Sequence, residues 1–119
     1  MARIISIHEY VLRDDADPAA LERAFREAAA RGLFSLAGLV GYRLVRGLKG
    51  VRANQYAAIW TYESRAAWER LWGTPGQPVG PDHYPPSWRV WEDEILAPFL
   101  TQHPDRIAYT TYEEITGQS

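Results

Sequence analysis

Cysteine is absent from all 119 residues. That removes disulfides, zinc–thiolate sites, iron–sulfur clusters and thiol nucleophiles together, and it accords with a cytoplasmic protein. An excess of charge of one sign is lacking too. Thirteen basic and 15 acidic residues leave a net charge of −2, so there is no basic footprint for nucleic acid and no polybasic run for an anionic membrane surface. Long hydrophobic runs are missing: no window approaches the roughly 18 apolar residues of a membrane span. The opening MARIISIHEYVLRDD reaches Ser6, His8 and Glu9 too early to hold a signal-peptide core. Histidine is scarce, and His8, His83 and His103 stand far apart, without the short paired spacings of zinc or iron sites. No GxGxxG, phosphate loop or Ser–His–acid order is present. The residues alone therefore imply no metal and no cofactor.

What the chain holds in quantity is aromatic: five Trp, seven Tyr and three Phe. Rings of this size suit a pocket or an interface, and a small domain also uses them to fill its core. The length makes a single domain, residues 1–119, the natural reading. Its centre is Tyr56 to Trp72, YAAIWTYESRAAWERLW, which reads as a strand, a cap and a short helix.

In chain order, Arg3 to Leu12 is the first strand, with Ile4, Ser6, His8, Tyr10 and Leu12 on one side and Ile5, Ile7, Glu9 and Val11 on the other. Asp17 followed by Pro18 starts a helix that runs to about Arg31, with Leu21, Ala24, Phe25 and Ala28 as its apolar stripe. Glu22–Arg26 and Glu27–Arg31 are spaced to pair on its outer face, and Gly32 stops it. Leu39 to Leu48 is the second strand. A hairpin loop over residues 48–54 carries Gly50 at its turn, with Lys49 and Arg52 expected in solvent. Gln55 to Tyr62 is the third strand, with Tyr56, Ala58, Trp60 and Tyr62 on one face. Ser64 caps a short helix bearing Trp68, Leu71 and Trp72. The stretch 73–86, GTPGQPVGPDHYPP, has too much proline and glycine for regular structure and reads as a stiff pocket wall. Ser87 caps a further helix, with Trp88, Trp91, Ile95 and Phe99 on one stripe, Arg89, Glu92, Asp93 and Glu94 largely opposite, and Pro98 near its end. Asp105 to Ile115 is the last strand, and residues 116–119 should fray.

This order predicts an α+β, ferredoxin-like split βαβ domain. Four antiparallel strands form one sheet with the helices on one face. The other face, apolar and uncovered, should pair with a second copy to give a symmetric homodimer.

That topology, with HEYVLRDDADPAALERAFREA near the start and AIWTYESRAAWERLW in the middle, resembles the dimeric α+β barrel superfamily. Its antibiotic-biosynthesis-monooxygenase-like, stress-responsive barrel, EthD-like and chlorite-dismutase-like groups share this pattern. The specific motif is a strand ending aromatic-x-aromatic, then Glu-Ser and a helix bearing aromatics. The resemblance implies an aromatic-lined cavity between sheet and helices. It also implies cofactor-free oxygenation of phenolic polycycles or, alternatively, haem binding and degradation. In the haem reading, Tyr62 or Trp60 takes the place of a tryptophan near the end of the third strand. His83 takes that of a histidine after the second helix, here set in a proline-rich loop. An asparagine of the oxygenase pattern in strand one is replaced by the neighbourhood of Ser6, His8 and Glu9.

Three readings of function follow. In the first, each subunit holds a small aromatic or apolar molecule, His8 acts as a base, Tyr10 or Tyr62 positions the substrate, and Trp60, Trp68, Trp72, His83, Tyr84, Trp88 and Trp91 form the ligand pocket. In the second, His83 or His8 ligates haem. In the third, the rings are simply core, His8 is a structural histidine, Glu9 pairs with Arg43 or another strand arginine, and the domain is a non-catalytic binding or assembly module.

Overall fold

Alternation along each strand decides which residues meet the helices. In a computed structural model, which describes residues 2–117, β1 (Ile4–Tyr10), β2 (Leu39–Arg46), β3 (Tyr56–Tyr62) and β6 (Tyr109–Glu113) form one antiparallel sheet in the order β2-β3-β1-β6. The inner face carries Ile4, Ser6, His8 and Tyr10 from β1 beside Tyr56, Ala58, Trp60 and Tyr62 from β3. The outer face carries Ile5, Ile7, Ala57 and Ile59. The fraying expected at the C-terminus falls partly on Gln118 and Ser119, outside the described residues.

α1 (Pro18–Ala30) begins where expected. The Asp17 carboxylate accepts the Ala19 N–H at 3.0 Å, and Pro18 sits at a position that has no N–H to lose. Leu21, Phe25 and Ala28 are buried against the sheet. Glu22 does not pair with Arg26. It accepts instead from the Tyr56 hydroxyl, which ties α1 to β3. α2 (Arg65–Trp72) is capped by Ser64, whose Oγ accepts from Ala67 N–H at 3.1 Å.

Two parts of the chain depart from the sequence reading. Residues 73–86 keep regular structure after all. A minimal hairpin, β4 (Gly73–Thr74) with β5 (Gln77–Pro78), turns back on the end of α2, and a 3-10 turn spans Pro81–His83. Gly73 makes this hairpin possible: its φ is +84°, and a Cβ there would lie 2.5 Å from the Gln77 carbonyl oxygen. The helix expected after Ser87 is composite. α3 (Pro86–Arg89) widens at once into a π-helical stretch (Val90–Leu96), then tightens to a 3-10 turn (Ala97–Phe99) that contains Pro98. Its buried residues are Trp88, Trp91, Glu92 and Leu96. Ile95 and Phe99 are only half-buried, because i→i+5 hydrogen bonding rotates the later residues off the α-helical stripe.

The last strand is also shorter than expected, since Pro104–Arg106 forms a 3-10 turn before it. His103 caps that turn, its Nδ1 accepting from Asp105 N–H at 3.1 Å. No helix among the described residues is long and apolar enough to cross a membrane.

Candidate small-molecule site

Between the β1–β6 half of the sheet, α2, the β4–β5 hairpin and the π-helical stretch lies a cavity of about 260 Å³. Strand pairing builds its floor. Ser6 stands opposite Thr111, and His8 lies between Ala58 and Tyr109. Ala58, the direct neighbour on β3, offers only a methyl group beside the imidazole, while Trp60 approaches it diagonally at 6.0 Å between ring centroids. Three tryptophans (Trp68, Trp72, Trp88) and three tyrosines (Tyr62, Tyr84, Tyr109) wall the space. The proline-rich segment adds Pro75, Pro78 and Val79 as a further wall.

The rings are set at steep angles to one another. Trp72 meets Tyr84 at 5.2 Å and 84°, and Trp88 at 5.4 Å and 62°. The Trp72 indole N–H donates to the Tyr62 hydroxyl at 3.1 Å, which fixes that corner.

Of the titratable groups that line the cavity, His8 and Glu92 are shifted in opposite directions. Burial lowers the His8 imidazole from 6.5 to about 4, so it is neutral at pH 7. Its Nε2 lies 3.3 Å from Ser6 Oγ, which is 2.9 Å from Thr111 Oγ1. Whichever way the hydrogens run along that chain, the buried Nδ1 has no partner within the protein. Glu92 is 4% exposed. Burial, followed by the negative charge of Asp105, pushes its carboxyl up to about 8, with the neighbouring Trp88 indole and Arg89 acting in the opposite direction. It is therefore mostly protonated at neutral pH. The nearest cation, Arg89, is engaged by Asp93 at 2.7 Å.

His8, Tyr62, Trp68, Trp72, Tyr84 and Trp88 come together around this space. Four other proposed site residues do not. Trp60 and Trp91 have no exposed surface. Trp60 packs on Phe34 and Trp88 at 4.9 and 4.7 Å, and Trp91 on Phe25 and Phe34 at 5.6 and 5.2 Å, so both are core. Tyr10 shares the face of His8 but is sealed where the end of the third helical segment closes over β1, Leu100 bridging to Leu12. Burial and the proximity of Glu92 raise its phenol, which lies beside the Trp91 indole. His83 is exposed on its 3-10 turn, while the next residue, Tyr84, turns inward onto Trp72. Glu9 pairs with Arg52 at 2.5 Å rather than with Arg43, and Arg52 stays exposed to solvent as expected of the hairpin loop.

The sequence pattern sets Glu92 on the polar side of its helix, whereas the fold buries it. A signal for burial was present: it stands four residues after Trp88 and three before Ile95, within the apolar stripe.

Haem does not fit these residues. His83 lies outside the cavity, and His8 is hemmed in by Trp60, Trp88 and Tyr109, all within 6.2 Å between ring centroids. Among the described residues no cluster of three or more His, Asp or Glu is placed to share a metal ion. A second hollow, of about 410 Å³, lies between α1 and the β2–β3 edge. It has few rings, and the Tyr56 hydroxyl on its wall is already spent on Glu22.

Four antiparallel strands in this order, helices on one face and a cavity between the layers define a ferredoxin-like subunit, the fold from which dimeric α+β barrels are built. Solved structures carry the same fold. A DABB family protein from Mesorhizobium loti is similar with a TM-score of 0.64 and 13% identity, over 98% of this chain and 100% of that one. A dimeric ferredoxin-like protein from Thermobifida fusca gives 0.61 and 16%, over 95% and 92%. SnoaB, a cofactor-independent oxygenase from Streptomyces nogalater, gives 0.56 and 18%, over 100% and 96%. No protein-family model matches the chain, and no curated protein matches its sequence.

Proposed function

We propose that the protein works in the cytoplasm as a homodimer whose subunits each hold a small aromatic or apolar molecule beside His8, and that its chemistry is proton transfer from that molecule, alone or as the first step of a cofactor-independent oxygenation. One observation carries this reading: a neutral imidazole with a partnerless buried nitrogen faces a cavity walled by six aromatic rings. With the Nε2–H donating to Ser6 Oγ, Nδ1 carries the free lone pair and accepts a ligand's hydroxyl hydrogen. A free imidazole held at about 4 is a weak base. Once it faces the phenolate it has made, the opposite charge favours the imidazolium, so the transfer is supported only with ligand in place. Ser6 and Thr111 hold the ring from behind. The volume, near the lower end of ligand pockets, suits a molecule of one or two rings. SnoaB supports the oxygenase form by analogy of fold alone.

The test uses 1-naphthol. Saturable quenching of tryptophan emission is expected, since Trp68, Trp72 and Trp88 line the cavity, together with oxygen uptake if the oxygenase form holds. His8→Ala should lower turnover by about 100-fold, the scale of a lost general base. An unchanged rate removes His8 from the mechanism, and an absence of saturable quenching removes the pocket.

A further inference from the structure

The charges around the cavity are one-sided. Its lining includes two carboxyl side chains, Glu92 and Asp105, and neither a lysine nor an arginine. His8 adds no positive charge at neutral pH. Arg89, on the same helical segment as Glu92, is taken by Asp93, and Asp93 also stands 3.2 Å from His103 Nε2. The other groups around Glu92 are the phenols of Tyr10, Tyr62 and Tyr84, none of which offers a cation. An anionic ligand would therefore find no lysine or arginine in the lining to offset its charge.

The lining is also suited to the opposite charge. Trp72 packs edge to face on Tyr84 and on Trp88, with centroids 5.2 and 5.4 Å apart, and all three rings line the cavity, so together they offer π-electron density to an organic cation. Glu92 is more than nine-tenths buried, and the π-helical stretch keeps it on the cavity side of the segment.

We propose that the molecule held here carries a protonated amine, seated in the Trp72–Tyr84–Trp88 corner with Glu92 as its counter-ion, while its aromatic hydroxyl reaches His8. This rests on the small-molecule reading above and narrows it to aryl amines. Seating the cation ionises Glu92, so binding releases a proton.

Three probes of matched shape separate the two readings: tyramine, 4-ethylphenol and 4-hydroxyphenylacetate, titrated by tryptophan quenching and calorimetry. At pH 8, tyramine should bind at least about tenfold tighter than 4-ethylphenol, the scale of a desolvated cation–π contact with a counter-ion, and the acetate weakest. Tyramine affinity should rise between pH 6 and pH 8 as Glu92 becomes easier to ionise, with proton release seen as a buffer-dependent heat. 4-Ethylphenol should show neither effect. Glu92→Gln should bring tyramine and 4-ethylphenol within about twofold of each other while 4-ethylphenol still binds. If 4-ethylphenol binds as tightly as tyramine in the unaltered protein, the amine proposal falls and the phenol pocket stands. If none of the three binds, both fall.

Discussion

Glu92 is the residue whose retention is hardest to explain by stability. An acid raised to about 8 in the folded chain, against 4.5 when free, keeps a proton that the unfolded chain gives up between those values. Its linkage therefore destabilises the fold progressively as pH rises through that window. His8 works in the reverse sense: lowered from 6.5 to about 4, it destabilises the fold as pH falls from 6.5 towards 4. Between pH 4.5 and 6.5 the two slopes oppose and nearly cancel. From 6.5 to 8 only Glu92 remains, and the loss should be about 2 kcal/mol at 1.36 kcal/mol per unit. Urea unfolding at pH 6.5 and pH 8 reads this directly. Glu92→Gln should flatten the difference and be the more stable protein at pH 8. A wild-type stability that stays level across those two pH values would mean that Glu92 is not the buried neutral acid described here.

At the scale of elements, the β4–β5 hairpin is the part of the cavity wall that depends most on one residue. Gly73 ends α2 and starts the hairpin with φ +84°, and a Cβ would crowd Gln77 O at 2.5 Å and Val79 N at 2.8 Å. Gly73→Ala should cost about 2 kcal/mol through backbone strain and weaken 1-naphthol binding, because Pro78 and Val79 would be displaced from the cavity. Thermal melts with the quenching titration check both, and an unaffected affinity would show that the hairpin is not a working wall. This hairpin also marks where sequence reading stops. The four long strands and both capped helices were legible because their signals are local: alternation in Ile4–Tyr10 and Tyr56–Tyr62, Asp17-Pro18, and Ser64. A two-residue strand pair carries no period to read, and proline content argued against it. The π-helical register was not legible either, since i→i+5 pairing is chosen by packing on the sheet and not by the composition of Val90–Leu96. The site was legible to the same degree. Ring spacing in α2 and the face of His8 pointed to groups that the fold sets around one cavity, whereas separating lining tryptophans from core ones needed the depth of each ring.

Across the whole molecule, the sheet has two apolar faces and the chain covers one. On the outer face Ile7 and Ile59 are paired neighbours on the two central strands, with Arg43 and Thr110 beside them on the edge strands, and Val45 and Tyr112 stand on the same face opposite Ala57 and Ile5 at 38% and 52% exposure. An apolar sheet face left open to water is the surface that a second copy would close by two-fold symmetry. The wild-type protein should therefore run as a dimer at micromolar concentration in light scattering coupled to size exclusion. Ile59→Lys, placing a charge at the centre of that face, should give a monomer. The cavity lies on the other side of the sheet, where Trp60 rather than Ile59 points. The monomeric variant, if its circular dichroism is that of the parent, should bind 1-naphthol with an affinity within a few-fold of the dimer's, the range expected for well-separated sites. A monomer that had lost the ligand while keeping its fold would place part of the site across the interface. A variant that stayed dimeric would put the contact on another surface.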